Sequence, residues 1–342
     1  MKAQQRIFFD FLRFCIGATG EIPESVKDAD WGVLYGIAKK QALIGVLFHG
    51  IQQLPKELAP DGDLLMTWMG MVQRIKLQNM RLFMDSAKVC KNFKDVGFRN
   101  CILKGQGNAL LYPDPYIRTP GDIDIYLNGG RKRIMEYVGK VYPNQVMRYH
   151  HVDFPVMKTP IEVHFTPSYM FCPWHNRRMQ KWFDKVMDLQ CSNVVTLPDE
   201  YGEITVPTLS FNVVCILSHL YRHVFTEGIG LRQLLDYYFV IEKWHTDLTN
   251  FDSKNLAALQ RDLKWLGLWK FAGAVMYVLH EVFGLSEDMM IAPMNEGEGK
   301  VHRYFRMSLR NMRFVKHYPS EALCEPLFRT WFFLWKRTKG RG

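Results

Sequence analysis

The sequence predicts an α+β protein in which a small mixed β-sheet core is flanked by amino-terminal and carboxyl-terminal helical regions. Three observations carry this. Residues 1–97 hold apolar side chains at the three- and four-residue steps of a helix, and the same pattern returns from Thr208. Between them, short apolar runs such as "DIDIYL" are punctuated by glycine and proline and alternate with short helical patterns. A chain of 342 residues, 48% hydrophobic and 14% aromatic, has room for a sizeable core and falls outside the disordered class.

Near the amino terminus, "RIFFDFLRFCIGA" resembles an apolar leader until Asp10 and Arg13 interrupt it. Ile7, Phe8, Phe11, Leu12, Cys15 and Ile16 fall on one helical face, which predicts an amphipathic helix packed on a core. Residues 63–95 contain no proline and predict one long helix, closed by Val96-Gly97, whose methionines read as core. From Phe98 the pattern changes. "FRNCILKG" reads as a strand, "QGNALLY" as a short helix, "DIDIYL" as a strand with period two, and "GGRKRIMEYVGKV" as a helix. "VMRYHHVDFPVM" and "IEVHF", joined by Lys158-Thr159-Pro160, predict a β-hairpin, and the helices are expected on one side of the sheet. "PSYMFCPWHNRRMQKWF" reads as an aromatic and basic connection, followed by a strand pair around Val194 and Ile204. The expected regions are therefore 1–97, 98–206 and 207–342. No stretch approaches eighteen uninterrupted apolar residues, so no membrane span is expected.

The net charge of +10 is uneven: residues 299–342 hold eleven Lys/Arg against Glu321 and Glu325 and so carry +9. Such a tail suits an anionic partner, or is simply a solvated helical face. Its end, "FRTWFFLWKRTKGRG", joins aromatics to Lys336, Arg337, Lys339 and Arg341 and is expected to make peripheral, salt-sensitive contact with an anionic surface. The seven cysteines are odd in number and lack a C-x-x-C pair, which suggests reduced thiols in a cytoplasmic protein. Cys172 and His175 form a lone C-x-x-H, half of a zinc motif.

Chemistry concentrates in the middle region. On a strand, Asp122 and Asp124 point to one face about 7 Å apart, with Ile123 and Ile125 opposite. The same parity pairs Glu162 with His164. If the hairpin lies beside the Asp strand, three carboxylates converge, and a divalent cation such as Mg²⁺ or Mn²⁺ relieves their repulsion and can clamp a phosphate. A solvated acidic strand edge is the bland alternative. Lys104-Gly105 ends a strand and opens a helix, a place that attracts phosphate, and Lys104 is expected to meet that phosphate rather than to stabilise the fold. Arg118, four residues before Asp122, carries a planar fork suited to oxyanions. His164 is expected to support Glu162. His150, His151 and Asp153 lie on the opposite hairpin strand, where His151 and Asp153 share a face. His219 and His223 stand one helical turn apart without the glutamate of a zinc-protease helix, and Arg232 with Asp236 fits an i,i+4 ion pair.

"ILKG…PGDIDIYL…IEVH" resembles the nucleotidyltransferase superfold of DNA polymerase beta, and more closely a poorly characterised bacterial family of nucleotidyltransferases. The resemblance covers about residues 98–166, and Lys-Gly stands where the superfold has Gly-Ser. It implies that Asp122, Asp124 and Glu162 are catalytic metal ligands for Mg²⁺ or Mn²⁺, and that Lys104 and Gly105 form the phosphate loop, with Arg118 beside the nucleotide. His164, His219, Arg232 and Asp236 fall on the substrate side. The implied reaction moves an NMP from ATP or another NTP to a sugar, lipid-linked precursor, nucleic acid or protein, releasing pyrophosphate. Two other classes stay open: a nucleotide-binding interaction protein without turnover, and a metal-dependent phosphohydrolase using the same acids on water.

Overall fold

The computed structural model of the protein describes residues 3–145, 147–247, 252–295 and 317–339. Helix α1 (Ala3–Cys15) buries Ile7, Phe8, Phe11, Leu12 and Cys15, the stripe that the spacing predicts. Helices α2 (Trp31–Lys40) and α3 (Ile44–Ile51) follow, and then α4 (Gly62–Asp95). Asp61 starts α4 by accepting from the Leu64 amide, and Gly97, at φ +83°, ends it in a conformation that glycine adopts without strain. Its 34 residues span about 51 Å at the α-helical rise. Trp68, Val72 and Ile75 belong to a larger core built with the other helices, whereas Leu82, Phe83, Val89 and Phe93 belong to a smaller core beneath the sheet. The methionines are not its core stripe: Met66, Met69 and Met84 are exposed, because the buried face is set by Trp68, Val72 and the residues in phase with them.

Strand β1 (Arg99–Ile102), the single-turn helix α5 (Gln106–Ala109), β2 (Ile123–Asn128), helix α6 (Gly130–Val141), β3 (His151–Asp153) and β4 (Ile161–His164) form the centre. The sheet order is β1-β2-β4-β3; β2 and β4 run parallel and the two outer pairs antiparallel. Ile123, Ile125, Leu127, Ile161 and Val163 all point to one side, onto Ile134 and Val138 of α6 and the carboxyl half of α4.

The stretch read as a connection is instead helix α7 (Pro173–Gln190), with Pro173 in its first turn, where no amide is needed, and Met179, Phe183 and Met187 buried at four-residue steps. Cys101 and Tyr126, on the second face of the sheet, share the larger core with Met187 and Cys191. Helices therefore cover both faces, not one. Strands β5 (Val194–Thr196) and β6 (Glu203–Thr205) make a separate antiparallel pair. Helices α8 (Leu209–Thr226), α9 (Leu231–Thr246), α10 (Ser253–Trp265), α11 (Trp269–Phe283) and α12 (Pro319–Lys339) complete the described residues. None of the described helices is long and apolar enough to cross a membrane. Of the four basic residues at the chain end, Lys336 and Arg337 are described on α12; Arg341 and the Lys339 side chain lie outside the described residues.

The loop between α5 and β2 is held from below. The Asn79 amide donates to the carbonyls of Tyr116 (2.7 Å) and Arg118 (2.8 Å), and the Thr119 hydroxyl donates to the Ala42 carbonyl (2.7 Å). Gly45 of α3 lies so close that an added Cβ would stand 2.1 Å from the Ile117 carbonyl oxygen. Gly45→Ala is therefore expected to push the loop away and destabilise the protein by about 1–3 kcal/mol. Thermal denaturation checks this: an unchanged melting temperature would mean that the approach is not enforced.

Candidate active site

The parallel register sets Asp124 beside Glu162, and the antiparallel register sets Asp153 on the far side of Glu162. Three strands thus carry a row of carboxylates, and the next row along the same face is Tyr126, His164 and His151. Asp122 precedes β2 by one residue and has the parity of Asp124. Oxygens of Asp124 and Glu162 and a ring nitrogen of His164 lie within 4.8 Å of one another.

Burial would raise Asp124, which is 4% exposed, but Lys104 and then His164 hold its carboxyl well below the usual range. Lys104 Nζ is 3.0 Å and His164 Nε2 2.8 Å from the same oxygen, Oδ1. Lys104 is thus already an internal counter-ion, a role in stability that the sequence reading did not expect. His164 is lowered by burial, yet its hydrogen bonds to Asp124 and Glu162 outweigh this and raise it above the ordinary imidazole value. Burial and then the charge on His164 push His151 down to about 4. Asp122 differs from the other two acids. Burial and the neighbouring Asp124 raise its carboxyl, and Lys104 offsets this only in part. A cation placed among Asp122, Asp124 and Glu162 would relieve that repulsion, and carboxylate oxygens suit a hard ion. The acids therefore suit a hard divalent cation.

These residues form one wall of a cleft of about 640 Å³. Gly105 turns the chain at φ +61°, and a Cβ there would press on the Asp122 carbonyl at 3.3 Å. The helix that follows is a single turn, so the dipole expected at Lys104-Gly105 is slight; the turn contributes the lysine and a close backbone. Asn108 of that turn lines the cleft and is buried, with its amide oxygen lacking a partner.

Helices α8 and α9 supply the facing wall. His219, Arg222 and His223 come from α8, and Arg232 and Asp236 from α9. Arg222 donates to His150 Nε2 (2.7 Å) and His219 Nδ1 (3.2 Å), and both imidazoles are kept neutral by burial, then by Arg222 or Lys104. No carboxylate lies within ion-pair distance of Arg222 among the described residues. The third wall is aromatic: Tyr149, Tyr169 and, from α12, Phe328 and Phe332. Tyr169 and Phe328 stack with ring centres 5.2 Å apart, and Tyr149 meets Phe328 edge-on at 4.8 Å. The tail helix, read from sequence as a surface element, therefore lines the site.

Asp122, Asp124, Glu162, Lys104, Gly105, Arg118, His219, Arg232 and Asp236 all border this one cleft, while His164 lies behind the acids at 1% exposure. Two expected roles need correction. Arg118 does not present its fork to the cleft: its Nε and Nη2 each donate to Asp236 at 2.8 Å, and the Tyr112 hydroxyl donates to the same carboxylate at 2.7 Å. Asp236 accordingly pairs with Arg118 rather than with Arg232 one turn away, because the loop delivers a buried, planar partner. Arg222, Asn108, Tyr149, Tyr169, Phe328 and Phe332 were not anticipated. Arg222 was legible, since it shares a helical face with His219 in "HLYR"; the two tyrosines carried no signal.

The Arg118–Asp236 pair ties the loop before the acids to α9. Removing one partner by Asp236→Asn leaves a buried guanidinium without its counter-charge and should cost about 3–5 kcal/mol, whereas Arg118→Met with Asp236→Leu should recover most of it. Burial would raise Asp236, but Arg118 overrides that and lowers it. Its contribution should therefore be complete above about pH 4 and lost as the pH falls through the lowered value. Urea unfolding of the single and double variants at neutral and acid pH tests both statements.

The family model described as an uncharacterised nucleotidyltransferase matches residues 27–284. Among solved structures, an antigenic nucleotidyltransferase-like protein from Paracoccidioides brasiliensis is similar at 14% identity and a TM-score of 0.38, over 63% of this chain and 95% of that one. No curated protein matches. The matched span contains the Lys-Gly turn, the aspartate pair, Glu162 and both helices of the facing wall, and the chain belongs to this family of uncharacterised nucleotidyltransferases.

Proposed function

We propose that the cleft binds a nucleoside triphosphate and transfers its nucleotidyl group to an acceptor hydroxyl or phosphate, releasing pyrophosphate. The observation that carries this is the β2–β4 register, which sets Asp124 and Glu162 side by side with Asp122 at the cleft edge. Mg²⁺ or Mn²⁺ held by Asp122, Asp124 and Glu162 would, when bound, neutralise phosphate charge and polarise the reacting phosphorus. Lys104, Arg222 and Arg232 border the same space and hold the phosphates, and the left-handed turn at Gly105 lets backbone approach them. Tyr149, Tyr169 and Phe328 offer flat faces for a base. Asp122 is the acid least committed to protein cations and so the most available to a metal or to an acceptor proton. Catalysis on this reading is chiefly positioning and charge neutralisation.

One observation favours a second reading. Lys104 and His164 already neutralise Asp124, as they would in a protein that binds nucleotide without turnover. Incubation with Mg²⁺ and NTPs labelled at the α-phosphate separates the two. A transferase passes label to an acceptor or to itself, a hydrolase releases it to water, and a binder retains NTP intact.

The aspartates should behave differently from each other. Asp122→Asn removes a repelled charge and is expected to leave stability unchanged or raise it. Asp124→Asn strands Lys104 and His164 and should cost about 1–3 kcal/mol. Both should lose the thermal stabilisation that Mn²⁺ with ATP gives the wild type, because amides are poor ligands for a hard dication. A double variant stabilised as well as the wild type would remove the metal-site reading. Lys104→Met should weaken NTP binding and also lower the melting temperature, since it uncovers the Asp124 carboxylate; normal binding with low stability would confine the lysine to a structural role.

A further inference from the structure

The half motif Cys172-x-x-His175 finds a second half in space. Glu321 and Cys324, also three residues apart, stand on the first turns of α12, where they meet the start of α7. One donor atom each from Cys172, His175 and Glu321 lies within 4.8 Å of the others, and Cys324 lies near Cys172. We propose that Cys172, His175, Glu321 and Cys324 form a structural zinc site that clamps α12 to the amino terminus of α7.

The geometry suits the ion. Glu321, 1% exposed, uses Oε2 to accept from the amides of Phe171 (2.8 Å) and Cys172 (3.1 Å), which fixes the carboxylate and leaves Oε1 for a second partner. Oε1 lies 3.3 Å from His175 Nδ1. That is long for a charge-assisted hydrogen bond. It matches two ligands of one tetrahedral zinc, whose bonds of about 2.0–2.3 Å place donor atoms about 3.3–3.8 Å apart. The other ring nitrogen, Nε2, faces Gly267, where an added Cβ would meet it at 2.8 Å, so Nδ1 is the ligand atom. Cys324, half-buried and near Cys172, stands outside this group of three and would turn its thiol inward to supply the fourth donor, giving two sulfurs, one nitrogen and one oxygen. Such donors select zinc over magnesium or calcium, and differ in kind from the oxygen-rich cleft. Binding ionises both thiols and releases two protons. The positive end of α7, an 18-residue helix, adds to the attraction for the thiolates and carboxylate.

The clamp would have a consequence for the cleft. Phe171 precedes Cys172, packs on Phe328, and so links the zinc ligands to the aromatic wall. The ion is thus not catalytic; it holds α12 where Phe328 and Phe332 line the site.

The test uses the full chain, expressed with added zinc and purified without chelator. Elemental analysis should find one tightly held zinc per chain. Replacing it with Co²⁺ should give the strong visible bands of a tetrahedral ion and a thiolate-to-cobalt charge-transfer band, which the cleft, having no cysteine on its walls, does not produce. The charge-transfer band should fall by about half in Cys324→Ser and disappear in Cys172→Ser/Cys324→Ser, while Cys90→Ser leaves it intact. Chelation should make α12 open to proteolysis. Absence of bound zinc together with absence of the charge-transfer band would overturn the proposal, as would a band unchanged in the double variant or a Cys172–Cys324 disulfide in the isolated chain. Should the double variant fail to fold, the wild-type cobalt spectrum decides alone.

Discussion

Asp124 is a carboxylate with almost no exposed surface, held in the middle of a four-stranded sheet, and its position has to be compensated from several sides. A buried anion without partners costs several kcal/mol. Two cations answer it, Lys104 from the end of the neighbouring strand and His164 from the parallel one. Burial, and then the neighbouring cations, lower both His151 and His150, and a neutral His150 can accept from Arg222. The charge left without an answer is on Asp122, at the cleft edge, and that is where an added cation has most to relieve.

Around this centre the protein is built to fix one loop. Residues 110–122 connect the Lys-Gly turn to the aspartates, and everything about their placement depends on contacts remote in sequence. Asn79 of α4 holds its backbone, the Ala42 carbonyl holds the Thr119 side chain, Gly45 lets α3 approach it, and Asp236 holds its arginine from the opposite wall. The cleft lies between the sheet and the helical region, which are joined by this buried ion pair as well as by a shared apolar core. A guanidinium–carboxylate fork has one favourable geometry, whereas an apolar contact has many, so the pair joins the two walls in a defined orientation.

The sheet and its acids were legible because their signals are local. Period-two alternation in "DIDIYL" and "IEVHF" decides which face each acid occupies, and a parallel or antiparallel neighbour brings the same parities together in either case. The long helix was legible from its uninterrupted period, but not which of its apolar residues are buried; methionine packs nearly anywhere, and Trp68 and Val72 set the phase instead. Helix α7 was obscured because its amino-terminal half is rich in polar, basic and aromatic residues, and its apolar period emerges only at Met179, Phe183 and Met187. The partner of Arg118 was not legible. Asp236 lies 118 residues away, and a local rule offered it Arg232 instead. Nothing in i,i+4 spacing can reveal that a loop from another region will deliver a better-shaped cation.

Helix α12 shows how composition misleads when a helix has two faces. Its charge and aromatic content suggest a surface element, and one side fits: Leu327, Trp331, Phe333 and Leu334 are exposed, with Arg337 over the Phe333 ring at 4.3 Å. The opposite side carries Glu321, Glu325, Phe328 and Phe332, which are buried or pack against Tyr149 and Tyr169. The salt-sensitive contact with an anionic surface that the tail's composition leads one to expect would fall on the outer face, while nucleotide and acceptor would meet the inner one. Deleting residues 327–342 would remove both faces at once and so could not separate a surface contact from the cleft. Substitution separates them. Arg337, on the outer face over Phe333, can be changed without touching the aromatic wall, and Phe328 can be changed without altering the charge of the tail. The two roles are separable on one helix because residues at i and i+4 share a face, whereas those two positions apart do not.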